Sequence, residues 1–165
     1  MPGDQRSNGA NASTAPSPLL DDVNRRLLTE LNADPRISMS ALGRRLGMSA
    51  PAVTERLQRL ERTGVVRGYR VDVDPAALGL PVTAFARIRP VAGQLAKVAE
   101  LARELPQVSE CHRITGEDCF LVKVHAAAVD RLEEVLDRFL LYGQTVTSIV
   151  VTTPVPPRPL PVDGA

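Results

Sequence analysis

The stretch "LGRRLGMSAPAVTERLQRLERTGVVRGYRVD", Leu42 to Asp72, decides how the first half of the chain folds. Val53, Leu57 and Leu60 recur at i, i+4 and i+7, between halts at Gly47 and Gly64. At about 100° per residue this is one apolar stripe of an α-helix. Ser49 is placed to cap that helix, Pro51 is tolerated in its first turn, and Gly64 suits its end. The opposite face carries Pro51, Glu55, Gln58, Arg59 and Arg62, with Thr54 and Arg56 on the flanks. Just upstream, "SALGRRLG" predicts a short helix with Leu42 and Leu46 inward and Ser38 or Ser40 as its cap. Gly47 then frees the backbone for a tight turn. Earlier still, Leu20, Val23, Leu27 and Leu31 keep helical spacing, Asp21 and Asp22 suit the positive end of the dipole, and Pro35 marks the break.

Two short helices joined by a glycine turn, the second with long polar side chains outward, have the shape of a helix-turn-helix. Such a helix fits the major groove of double-stranded DNA. Arginine there can grip guanine through O6 and N7, and glutamine can grip adenine. The candidate contacts from this helix are Ser49, Pro51, Thr54, Glu55, Gln58, Arg59 and Arg62. Arg44, Arg45, Arg67 and Arg70 are better placed for phosphates, which position a protein without reading sequence. The alternation in "VVRGYRVDVD" around a glycine predicts a small β wing. On periodicity alone, a three-helix packing unit with solvated arginines stays open beside this reading.

The charge distribution adds an asymmetry. Asp21 to Arg70 holds ten Arg against six acidic residues, whereas Val71 to the end holds nine Lys and Arg against twelve Asp and Glu. A basic half joined to an acidic half suggests two tasks.

Past Gly79 the pattern turns to alternation. "VTAFARIRPV" puts Val82, Ala84, Ala86 and Ile88 on one strand face. "GQLAKVAELARELP" is an amphipathic helix with Leu95, Val98, Ala102 and Leu105 inward. "VSECHRITGEDCFLVKVHA" reads as two strands around a turn. "VDRLEEVLDRFLLYG" is a second helix with Leu132, Val135, Leu136 and Phe139 inward, and "TVTSIVVTT" closes as a strand. The order β-α-β-β-α-β is the ferredoxin-like motif. The fold class is therefore α+β. A winged helix-turn-helix domain spans residues 19–75, a linker 76–81, and a ferredoxin-like domain 82–154. Residues 1–18 read as a disordered tail and 155–165 as a flexible proline-rich one, because such compositions bury too little apolar surface to offset ordering entropy.

Chemistry beyond binding finds little footing. Cys111 and Cys119 fall about four residues apart along one hairpin ladder, about 13 Å, beyond the roughly 7 Å a disulfide spans. Reduced thiols, no signal-peptide core and no apolar run near the roughly 20 residues of a membrane helix fit a cytoplasmic protein without membrane contact. His112 and His125 have no zinc spacing with the cysteines, and no phosphate loop, nucleophile elbow or His-Glu-x-x-His is present. The carboxylates of "GEDC" favour the neutral thiol of Cys119, which argues against a nucleophilic or redox role. The sequence predicts neither an enzyme nor a cofactor.

Arg36-Ile37-Ser38, Gly47-Met48-Ser49, Arg59-Leu60-Glu61, Gly64, Gly68-Tyr69, Asp74-Pro75 and Leu78-Gly79 stand at fixed spacing. This pattern closely resembles the DNA-binding half of the Lrp/AsnC family of bacterial transcription regulators. The second half resembles that family's regulatory domain, through Cys111-His112, Gly116 and Cys119-Phe120-Leu121-Val122-Lys123. The resemblance implies dimerisation through the sheet, assembly to tetramers or octamers, and a small effector, usually an amino acid, near the hairpin turn. Carried over residue by residue, the effector candidates are Gly116, Glu117, Asp118 and Cys119, with Thr147 and Ser148 from the last strand. Two departures stand out. The family's usual Asp before the aromatic is Cys119 here, and its Leu-Pro-Gly-Val before the last strand is replaced by "LLYGQTV".

Three functions compete on these grounds. The first is a sequence-specific transcription regulator answering to a small amino-acid-like effector. The second is an architectural protein that wraps DNA with little effector control. The third is an enzyme or metabolite-binding module whose first half serves protein contact.

Overall fold

Asp21 starts the first helix by its chemistry. Its carboxylate accepts the Asn24 N–H at 2.7 Å, satisfying a donor that the first turn leaves orphaned. The computed structural model describes residues 19–162, so the expectation of a disordered tail over 1–18 lies outside the described residues. Helix α1 runs Asp22–Ala33, α2 Met39–Leu46 and α3 Ala50–Arg62. Ser38, not Ser40, caps α2, accepting the Ala41 N–H at 3.2 Å. Gly47 takes the left-handed conformation at φ 68°, which ends α2 and turns the chain into α3. Gly43 is also dictated by space, since a Cβ there would lie 2.6 Å from the Met48 carbonyl oxygen. Leu27, Leu42, Val53 and Leu60 are fully buried, with Ile37, Leu46 and Leu57 beside them. The predicted stripe of α3 is thus the core of this unit.

The expected wing does not form. Residues 65–74 hold no strand. What would have been the first arm is used otherwise: Val65 and Val66 pack on the helical core, and the Val66 N–H bonds to the Leu60 carbonyl at 3.1 Å. Tyr69 turns back to donate to Glu61 at 2.8 Å. With that arm consumed, Val71 is left 85% exposed and has no ladder partner.

The chain divides into two compact units, one ending at Tyr69 and taking in the segment from Pro157, the other spanning Arg70–Pro156. In the second, β1 (Val82–Pro90), α4 (Leu95–Glu104), β2 (Val108–Arg113), β3 (Phe120–Ala126), α5 (Val129–Leu140) and β4 (Gly143–Ile149) follow the predicted order. The sheet is antiparallel throughout in the order β2-β3-β1-β4, the ferredoxin-like arrangement. Ala84, Ala86 and Ile88 of β1 and Phe120, Val122 and Val124 of β3 face one way, against α4 and α5. Two expectations need correcting. Leu95, the first residue of α4, is 37% exposed, and Leu101 takes its place inward because the stripe runs Val98, Leu101, Ala102, Leu105. Strand β4 begins at Gly143 and ends at Ile149, earlier than predicted at both ends. The register explains the shift: Ile149 pairs with Ala84, near the start of β1, and Gly143 pairs with Pro90, its last residue. Only glycine permits that crossing, since a Cβ on Gly143 would sit 2.3 Å from the Arg89 carbonyl oxygen.

Beyond β4, side chains from Val151 to Pro161 are exposed. The Val162 carbonyl then accepts from Arg25 Nη1 of α1 at 2.8 Å. No helix among the described residues is long and apolar enough to cross a membrane.

Candidate functional site

The residues expected to meet DNA separate by what they already touch. Pro51, Glu55, Gln58, Arg59 and Arg62 are exposed along the outer face of α3. No side-chain partner engages Gln58, Arg59 or Arg62 among the described residues. Ser49 is spent on the cap, accepting the Ala52 N–H at 3.4 Å. Thr54 is half-buried and donates to the Ala50 carbonyl at 2.9 Å, so its hydroxyl is committed to its own helix.

The arginines expected on phosphates differ in the same way. Arg44 and Arg67 are exposed with no side-chain partner among the described residues. Arg45 is not free: its Nη1 pairs with Glu30 Oε2 of α1 at 2.5 Å, while its carbonyl accepts from Arg26 Nη2 at 3.0 Å. Arg70 too is exposed with no side-chain partner among the described residues, at the point where the second unit begins. Arg56, read as a flank residue, turns to α1 and donates through Nη1 to Asp21 Oδ2 at 2.8 Å and Asn24 Oδ1 at 3.1 Å. The Arg56 guanidinium, and then the Asn24 N–H, hold the Asp21 carboxyl below the usual carboxylate range.

The hairpin turn in the second unit brings together acids the sequence named and bases it did not. Gly116 has φ 103°, a conformation side chains rarely adopt, and it shapes the turn. Glu117 Oε2 meets Arg89 Nη2 at 2.5 Å. Asp118 lies 3.5 Å from Arg89 Nε and 3.9 Å from Arg87 Nε. Arg87 and Arg89 alternate with the buried Ala86 and Ile88, so all four charges gather on the sheet face away from the helices. The signal was present in "RIRP", where both arginines occupy the polar phase of β1. Cys119 does not join them, because it packs against the helix-side core. Thr147 and Ser148 separate by strand alternation: Thr147 pairs with buried Ala86, and Ser148 with Phe85 of the outer face. Of the six expected effector residues, the turn therefore unites Gly116, Glu117 and Asp118.

The histidines and cysteines have structural settings. His125 bridges the Thr83 and Ser109 hydroxyls, each at 3.0 Å, and burial followed by the Lys123 charge lowers its pKa. Burial pushes the Cys111 thiol up, which favours its neutral form. In the observed register Cys119 faces Ile114 and Cys111 pairs with Val122, and both thiols are free.

Comparison with known proteins finds two family models along the chain. Residues 20–61 match the model of the AsnC-type helix-turn-helix domain, and residues 83–160 that of the Lrp/AsnC ligand binding domain. The transcriptional regulator LrpA of Mycobacterium tuberculosis is 38% identical over 137 residues, covering 81% of this chain and 91% of that protein. LrpC of Bacillus subtilis is 33% identical over 131 residues, covering 79% and 91%. Among solved structures, the feast or famine regulatory protein of M. tuberculosis in complex with L-methionine superposes with a TM-score of 0.80 at 33% identity, covering 86% of this chain and 98% of that one.

Proposed function

This chain belongs to the Lrp/AsnC family of helix-turn-helix transcription regulators, and on that premise we propose that α3 reads the major groove through Gln58, Arg59 and Arg62. The observation that carries this reading is that those side chains have no partner among the described residues, on a helix whose other face is the core. An arginine with no carboxylate of its own gives up no internal contact when it meets a base edge. Arg44 and Arg67 serve as phosphate contacts, while Arg45 is held by Glu30 and contributes less. Pro51 and Glu55 shape the rim, and Ser49 and Thr54 act through the backbone they hold.

The protein is a regulator and not an enzyme. Its effector is a small amino acid, in keeping with the L-methionine complex of the mycobacterial relative. A zwitterion suits the turn: Asp118 and Glu117 can take an ammonium, while Arg87, Arg89 and the amides beside Gly116 can take a carboxylate. The outer sheet face, with Phe85 and Val146 exposed among polar groups, is the surface for pairing with a second copy, and such dimers assemble further to tetramers or octamers. We place the DNA-binding domain at 19–75, the linker at 76–81 and the regulatory domain at 82–154, in a cytoplasmic protein.

The test is selection of bound duplexes from genomic fragments, with and without an amino-acid panel, followed by titration at several salt concentrations. A defined site should emerge, with log affinity falling by about 0.9 per phosphate contact for each decade of salt. A full slope without site preference would instead indicate a DNA wrapper. Absence of any duplex binding would overturn the reading.

A further inference from the structure

Arginine 56 stands on the reading helix and yet points away from the surface that helix offers to DNA. Its Nη1 reaches Asp21 at 2.8 Å and Asn24 at 3.1 Å, residues more than thirty positions earlier in the chain. Asn24 is the buried polar side chain of the described residues, 6% exposed. It is held on the other side as well: Nδ2 donates to the Leu19 carbonyl at 2.7 Å, and its backbone N–H goes to Asp21. Around this network a cleft of about 330 Å³ opens between the start of α1 and the first half of α3, bounded also by Glu55 and Arg59. Helix α1 is tied to α2 through Glu30–Arg45 and Arg26. Among the described residues, every side-chain hydrogen bond or ion pair from the start of α1 to α3 is made by Arg56. Apolar packing beneath the helix is non-directional, whereas these bonds fix distance and angle.

Resting on the DNA-reading role proposed above, we infer that Arg56 is a positioning residue, latching α3 to Asp21 and Asn24 so that Gln58, Arg59 and Arg62 meet the bases in register. It makes no contact with DNA. Removing it lets α3 roll toward the cleft, which spoils base readout before it spoils attraction to phosphate, because phosphate contacts tolerate misalignment that bidentate base contacts do not.

The experiment uses the full chain, a selected duplex and a scrambled duplex of equal length, each titrated over a range of salt. Arg56→Met should cut the ratio of selected to scrambled affinity by about tenfold or more, leaving scrambled affinity and salt slope as in the parent. Arg56→Lys, which keeps the charge and one bond, should restore part of the ratio. Asp21→Asn removes the ion pair while preserving the cap, since Asn also caps well; it should give an intermediate loss and decides the matter if Arg56→Met fails to fold. A uniform loss on both duplexes with a slope shallower by about 0.9 would make Arg56 a phosphate contact and overturn the latch. An unchanged ratio in Arg56→Met, or in Asp21→Asn where the former is unfolded, would overturn it too. A parent protein with no duplex affinity would sink the DNA-reading role itself, a different failure.

Discussion

Helix α3 and strand β1 both present closely spaced arginines, and they use them in opposite ways. On α3, Arg59 and Arg62 extend from an exposed face and form no ion pair among the described residues. On β1, Arg87 and Arg89 are met by Glu117 and Asp118 from the hairpin turn. The first arrangement leaves positive charge for a polyanion. The second neutralises itself and leaves a patch of alternating charge, able to exchange its internal pairs for those of a zwitterion but offering little to a phosphate chain. The near-zero net charge of the whole chain hides this contrast, because it averages two local solutions.

The largest effect that tests the contrast comes from exchanging arginine for alanine on each side of it. Arg59→Ala should weaken binding to a selected duplex by about 1–3 kcal/mol and relax preference at one base position. Arg87→Ala should leave affinity for the same duplex unchanged. Equilibrium titration of both variants on one duplex measures the difference. Equal losses would mean that the paired arginines also face DNA, and the contrast would collapse.

How much of this was legible in the sequence follows from range. The stripe Val53, Leu57, Leu60, the serine caps and the Gly47 turn are local, and the periodicity exposes them directly. The commitment of Arg45 to Glu30 and of Arg56 to Asp21 is not local, since partners 15 and 35 residues away meet only after the helices pack. The wing is not decided by the sequence, because the alternation of "VVRGYRVDVD" suits a hairpin as well as a chain that folds Val65 and Val66 back onto its own core. The turn acids were visible from resemblance, but their counterions were not. Arg87 and Arg89 become neighbours of residues 117 and 118 only through the β1–β3 register that sets Ile88 beside Phe120. The same alternation rule, applied across β4, sets Thr147 and Ser148 on opposite faces from the sequence alone.

A smaller effect should follow from breaking the neutralised side. Asp118→Asn removes one charge from a cluster whose arginines and Glu117 are exposed and whose Asp118 is partly so, and its cost in stability should stay within about 1 kcal/mol. The thermal shift produced by an amino-acid panel that includes L-methionine should fall markedly in that variant. DNA affinity without amino acid should hold, because an effector acts through its differential affinity for two states and not on the unliganded protein. Ligand titrations and duplex titrations on the same preparation separate the two. A panel response identical to the parent's would remove Asp118 from the site.

The smallest effect concerns the one carboxylate on which the arginine-rich unit does spend a guanidinium. Asp21 is held below its ordinary pKa by Arg56 and by the Asn24 N–H. A carboxyl whose folded pKa lies below its unfolded value releases its proton more readily when folded, so the linkage stabilises the fold above the unfolded pKa, near 3.8. That contribution is lost as pH falls through the lower folded value. The groups facing Asp21 are Asn24 beside it and Glu55, Arg56 and Arg59 across the cleft. Half-exposure of the Asp21 side chain limits the effect to under about 1 kcal/mol. Asp21→Asn isolates it, because the substitution keeps the cap and removes the proton. Urea unfolding from pH 5 down to pH 2 should show the parent losing stability more steeply than Asp21→Asn, the two curves converging at the acid end. Parallel curves across that window would mean that the Asp21–Arg56 pair carries no differential charge energy, leaving its geometric role to stand on the duplex measurements alone.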